Sequence, residues 1–181
     1  PFLIDSIERF DRFSMDSNLA VIYLGVLIVL LGGSAIAVLR QALKTRSMES
    51  RLNRLQNLAA KKEATAKDFY EYGSLLLDKK IYSQAIAQFQ KCLKSKDLVG
   101  EENIALVHNA LGFAYAAQEQ YDLAIRQYKE ALKLQPAYTT AMNNLGFSYE
   151  KKTLVSQALE LYEEVLKYEP KNSIAKKRVE S

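Results

Sequence analysis

The chain carries one histidine, His108, one cysteine, Cys92, and no tryptophan. A structural zinc site takes four nitrogen or sulfur ligands, so this pair cannot build one, and a lone cysteine cannot close a disulfide within the chain. The lack of disulfides fits a reducing compartment. No Gly-rich phosphate loop, nucleophile elbow or metal-binding histidine pair occurs. The adjacent acids Glu101-Glu102 and Glu163-Glu164 read as solvated polar faces rather than as general acid–base pairs. No catalytic, cofactor-binding or metal-binding residue is therefore assigned. The chain reads as a non-enzyme whose chemistry is recognition by a surface.

The elements that would build such a surface are written in residues 105–172. Leu111-Gly112-Phe113-x-Tyr115 returns as Leu145-Gly146-Phe147-x-Tyr149, Ala124 as Ala158, Tyr128 as Tyr162 and Pro136 as Pro170, each pair 34 residues apart. Within one unit, His108, Leu111, Gly112 and Tyr115 fall on one helical face, and Ala124, Tyr128 and Ala131 on a face of a second helix. Gly112 and Ala124 are small where two helices must approach closely. Asp122 and Ser156 stand where a short oxygen side chain can cap the second helix. Pro136 and Pro170 close each unit, because proline cannot continue a helix. This period and these residues resemble the tetratricopeptide repeat, a helix–turn–helix unit that buries its apolar face only against stacked neighbours.

A degenerate copy precedes, at 66–99, with Phe69, Tyr72, Gly73 and Leu76 on its first helix and Ser83, Ala85, Phe89 and Cys92 on its second. Asp97 replaces the closing proline. Cys92 aligns with Ala131 and Val165 and so reads as a small buried residue rather than a redox sensor. His108 aligns with Phe69 and Met142 and reads as a packed core histidine. From Gly73 to Gly112 the interval is 39, five more than the period, which predicts an inserted loop over 100–104. Full repeats follow at 105–138 and 139–172. Residues 173–181 read as the start of a capping helix, short enough that either more chain or a partner is expected to cover that end.

Upstream, residues 18–39 read as a transmembrane helix. The uncharged run starts at Leu19, passes Gly25 and Gly33, and ends at Leu39, with 13 of its 21 residues Leu, Ile or Val. At ~1.5 Å per residue it spans roughly 31 Å, the thickness of a hydrocarbon core. Gly33 and Ala37 form a small-xxx-small pair suited to helix packing. Residues 1–17 place Leu3, Ile7, Phe10 and Phe13 every three or four positions, as an amphipathic interfacial segment would. Residues 40–65 read as a basic helical stalk. The chain begins at Pro1, which is expected of a processed or truncated product.

The formal net charge is +4, but it is local: residues 40–65 carry seven basic and two acidic side chains, whereas 66–172 carry 13 and 14. The basic flank predicts that the repeats lie on the cytoplasmic or stromal side. It gives no support to nucleic-acid binding, which needs a basic patch on the folded domain.

Stacked repeats make a concave face lined by first helices, and such grooves bind segments of other proteins. The spacing assigns Lys67, Tyr70, Ser74 and Leu77 to it in the first unit, Leu106, Asn109, Phe113 and Ala116 in the second, and Thr140, Asn143, Phe147 and Glu150 in the third. Phe113 and Phe147 would act as aromatic anchors. Asn109 and Asn143 would hydrogen-bond a peptide backbone. Some tetratricopeptide co-chaperones grip a terminal carboxylate with Lys and Arg. Here Thr140, Asn143 and Asn144 stand in the third unit, with no cation before Lys151.

The fold class expected is all-α: one transmembrane helix, a helical stalk and a three-repeat αα-hairpin solenoid. That order of parts resembles the small membrane-anchored tetratricopeptide proteins of cyanobacteria and chloroplasts that assist photosystem I assembly. The resemblance implies a thylakoid location, repeats in the stroma, no catalysis and no cofactor. Its implied partners are photosystem I subunits or assembly intermediates, together with the lipid bilayer. A membrane-tethered receptor, or an adaptor regulating a membrane enzyme, is the alternative class.

Overall fold

The computed structural model describes the backbone of residues 2–180 and the side chains of residues 21–180. The expected interfacial face of residues 1–17, and Leu19 at the head of the apolar run, lie outside the described side chains. Among the described residues all regular structure is helical. The chain divides into two compact units, Pro1–Ser50 and Arg51–Ser181.

Helix α1 runs Phe2–Ala60 without a break. Its stretch Val21–Ala60 contains a window of mean hydropathy 2.5, none of it buried within the protein, and is long and apolar enough to cross a membrane. Val29 is 73% exposed, and a Cβ placed on Gly25, Gly32 or Gly33 would meet no atom within 4 Å.

The second unit opens with the last turns of α1. Leu55 is buried and Leu58 half-buried, while Arg51 donates to Glu71 through Nε at 3.0 Å and Nη2 at 2.5 Å. The Arg51–Glu71 pair ties these turns to the first repeat. Six helices then form three antiparallel pairs: α2 Ala66–Asp78 with α3 Tyr82–Leu93, α4 Glu101–Ala117 with α5 Tyr121–Leu134, and α6 Thr139–Lys151 with α7 Val155–Tyr168. Helix α8, Ser173–Val179, packs on α7 and buries Ala175 against the cluster of Tyr149, Tyr162 and Val165.

Each pair is fixed by one contact repeated three times. A Cβ added to Gly73 would lie 2.6 Å from Phe89 Cε1; at Gly112 it would lie 2.6 Å from Tyr128 Cε1, and at Gly146 2.8 Å from Tyr162 Cζ. The ring of each second helix thus lies against the backbone of the first, where only glycine leaves room. All three rings are fully buried, as are Ala85, Ala124 and Ala158 one helical turn before them.

Three local expectations are corrected. Residues 101–104 are not loop: Gly100, at φ 87°, ends the connection, and Glu101–Ile104 form the first turn of α4. The extra residues lengthen a helix because none of them breaks one and their acids suit its N-terminus. Nor do Asp122 and Ser156 cap helices. The N-cap positions of α5 and α7 are Gln120 and Leu154, without side-chain caps. Asp122 instead accepts from Lys152 Nζ at 3.0 Å, and its counterpart Ser83 accepts from Gln118 Nε2 at 2.7 Å. Gln118 and Lys152 are themselves 34 residues apart, so one register position ties each turn to the next. His108 is half-buried rather than core, with Nδ1 2.8 Å from Gln127 Oε1.

The turns carry a cost. Lys80, Glu119 and Thr153 sit at φ 60°, 60° and 58°, the left-handed region that L residues enter at about 1–2 kcal/mol. Thr153 is β-branched, the least suited of the three. Thr153→Gly should therefore raise the melting temperature of the second unit, worth about 1 kcal/mol, in circular-dichroism melts in detergent. Gly112→Ala should do the reverse. Alanine is the better helix former by about 1 kcal/mol, but overpacking against Tyr128 costs about 1–3 kcal/mol. A rise in stability on Gly112→Ala would show that the ring yields freely.

Candidate protein-binding groove

The first helices α2, α4 and α6 bring the predicted groove positions into one row. Lys67 is exposed, Tyr70 half-buried, Asn109 half-buried, and Asn143 buried. Phe113 is 49% and Phe147 38% exposed, so neither ring is spent on the core that Gly112 and Gly146 serve. Lys151 Nζ lies 5.3 Å above the Phe147 ring, a cation–π distance.

The floor is a chain of neutral hydrogen bonds. Asn109 Nδ2 donates to Tyr138 Oη at 3.2 Å, and Asn144 Nδ2 donates to Asn109 Oδ1 at 3.0 Å. Asn143 Nδ2 reaches Asn172 Oδ1 at 3.5 Å, the same link one repeat on, since Tyr138 and Asn172 are 34 residues apart. Asn143 Oδ1 is buried without a partner. Burial and the neighbouring Tyr70 raise the Tyr138 phenol above its usual range, so it stays neutral. The floor is therefore uncharged near pH 7. Asn144 was already among the inward positions of the third unit; Tyr138 and Asn172 were not singled out, and aligning the ends of the repeats, where Tyr138 meets Asn172, is the signal that finds them.

At the N-terminal end of α2, Thr65 and Asp68 form a reciprocal cap, with Asp68 N–H donating to Thr65 Oγ1 at 3.2 Å and Thr65 N–H to Asp68 Oδ2 at 3.0 Å. Asp97, in place of a closing proline, accepts from the Ala66 N–H at 2.9 Å. That bond holds its carboxyl below the ordinary 3.8. Cys92 is fully buried, its Sγ donating to Ala66 O at 3.1 Å, and burial pushes the thiol up to about 11. A protonated, enclosed thiol is a packing group, not a nucleophile.

Asp97 supplies a pH test. Its depressed folded value means that its contribution is fully present above the unfolded value and is lost as pH falls through the folded one. Asp97→Asn should lower the melting temperature at pH 7, and the gap to the native chain should close as pH falls through and below 3.8. A gap that persists unchanged at pH 2.5 would mean that the charge contributes nothing.

Family models described as TPR repeat and tetratricopeptide repeat match residues 112–152 and 139–172. Protein ycf37 of Guillardia theta is 34% identical over 130 residues, covering 72% of this chain and 73% of that protein. Protein ycf37 of Cyanophora paradoxa is 37% identical over 107 residues, covering 59% and 62%. Tetratricopeptide repeat domain-containing protein PYG7, chloroplastic, of Arabidopsis thaliana is 37% identical over 122 residues, covering 67% and 40%. The chain thus spans about three-fifths of the Cyanophora protein and two-fifths of the Arabidopsis one. Among solved structures, YrrB, described as a TPR protein with an unusual peptide-binding site, gives a TM-score of 0.68 at 17% identity, covering 77% of this chain and 69% of that one. The first TPR of Spaghetti (RPAP3), bound to the HSP90 peptide SRMEEVD, gives 0.59 at 22% identity, covering 64% and 88%. At these identities the likeness shows the fold alone.

Proposed function

The chain belongs to the ycf37 family of tetratricopeptide repeat proteins, and from that premise we propose that it is a membrane-anchored scaffold that binds protein subunits during photosystem I assembly at the thylakoid. The observation that carries the binding half is the pair Phe113 and Phe147. Two aromatic rings at the same register position of successive repeats stand exposed beside a neutral hydrogen-bonding floor. Exposed aromatics in a row are the usual anchors of a protein interface. The anchoring half rests on the apolar stretch of α1, from Gly25 through Gly33 and Ala37 to Leu39. The cations that follow it, Arg40, Lys44 and Arg46, favour a stromal or cytoplasmic side for the repeats. The chloroplastic Arabidopsis relative supports the compartment.

A receptor for acidic chaperone tails is the weaker reading. Thr140, Asn143 and Asn144 offer no cation where a terminal carboxylate would need one, and Lys151 is engaged over Phe147.

Affinity isolation of the tagged chain in mild detergent tests the proposal. Chlorophyll and reaction-centre subunits should accompany the native chain. Their yield should fall roughly tenfold or more with Phe113→Ala plus Phe147→Ala, because each anchor is worth about 2 kcal/mol, while the melting temperature stays nearly constant. Recovery of soluble chaperones or a protease instead would favour the adaptor class. A large loss of stability would show both rings to be structural.

A further inference from the structure

The five residues by which the first repeat exceeds the period have a structural product. They lengthen α4 by a turn and leave a half-open cleft of about 380 Å³ between the start of α2, the α3–α4 connection and α4. Tyr70, Leu98, Val99 and Leu106 supply its apolar wall, and Val99 is 68% and Leu106 40% exposed. The lining contains one cation, Lys67, and one anion, Asp97. Asp97 already accepts from Ala66 N–H, and Asn103 Nδ2 already donates to Val99 O at 2.8 Å. No net charge is left to select an acidic or a basic ligand.

The cleft is continuous in register with the groove floor. Tyr70 lines it, and the same helix position carries Asn109 on α4 and Asn143 on α6. Packed helices lie ~8–10 Å apart, and an extended chain advances ~3.3 Å per residue, so successive positions of this row match every third residue of an extended peptide.

We propose that this cleft is the anchoring subsite for an internal, uncharged, extended segment of a partner protein, taking one side chain of leucine to phenylalanine size while the backbone runs along Tyr70, Asn109 and Asn143. The inference deepens the groove reading above. It differs from capture of a chain terminus, because the cleft's one cation, Lys67, is balanced by Asp97.

The test uses the full chain in lipid nanodiscs and two displayed libraries of random dodecapeptides, one blocked at both ends and one with a free carboxyl terminus. The blocked library should yield a consensus with one large apolar residue among uncharged neighbours. Those peptides should bind about tenfold more weakly to Val99→Lys and to Leu106→Lys. They should bind equally to Leu154→Lys, an exposed position outside the cleft. Because both cleft residues are exposed, melting temperatures should not move. Enrichment only of acid-ended peptides from the free library, affinities indifferent to the cleft variants, or no enrichment from either library would each overturn the proposal. Peptides alone are used, so failure here leaves the co-isolation result standing, and failure there leaves this one standing.

Discussion

The contact on which the repeat unit depends is an aromatic ring laid on a glycine of the preceding helix. Phe89 on Gly73, Tyr128 on Gly112 and Tyr162 on Gly146 each lie sixteen residues beyond their glycine. The absence of a Cβ sets how closely two helices approach, and the ring fills the space that remains with about 150–250 Å² of buried aromatic surface. Burial is complete enough that the Tyr128 and Tyr162 phenols are driven well above the range in which a tyrosine ionises. The rings act as apolar wedges, and the helix pairs keep a common geometry from one repeat to the next.

That common geometry is what makes the polar links repeat. Asn109 with Tyr138 and Asn143 with Asn172 are the same bond in successive units, as are Gln118 with Ser83 and Lys152 with Asp122. The turn links lie on the surface, where each contributes ~1 kcal/mol or less. They cannot hold the array together, but they distinguish the correct register from one slipped by a turn. Cohesion comes from the shared apolar clusters. Tyr128 of one unit packs with Met142, Leu145 and Tyr149 of the next, and Ala131 with Ala105 and Ala141.

The 34-residue period made the pairs of helices, their rings and their glycines legible before any coordinates, because those residues are constrained by sterics that leave few alternatives. The small residues Ala105, Ala114, Ala141 and Ser148, all fully buried, were not marked by it. A small side chain at an interface looks like one on a surface, and only the facing helix reveals the difference. The turn residues misled for another reason. Asp122 and Ser156 have the chemistry of caps, but a left-handed residue at Glu119 and Thr153 starts each helix earlier, at Gln120 and Leu154. Counting found five extra residues after the first repeat, yet counting cannot tell a loop from a longer helix. The groove residues were placed by spacing alone. Spacing could not say that Asn143 would be buried while its counterpart Asn109 stays half exposed.

The character of the groove follows from the same packing. The first-helix position just after the seam glycine turns away from the ring, and in both full repeats it displays a phenylalanine. Two exposed rings are an expense in water that folding does not recover, since each leaves apolar surface hydrated. The floor beside them is hydrogen-bonded almost wholly by amides and a phenol, and Lys151 stands over the Phe147 ring. Association on such a surface would gain from burying the rings, and little from long-range attraction. Its salt dependence would be shallow and its selectivity set by shape, because a neutral floor penalises a buried charge on the partner more than it rewards one.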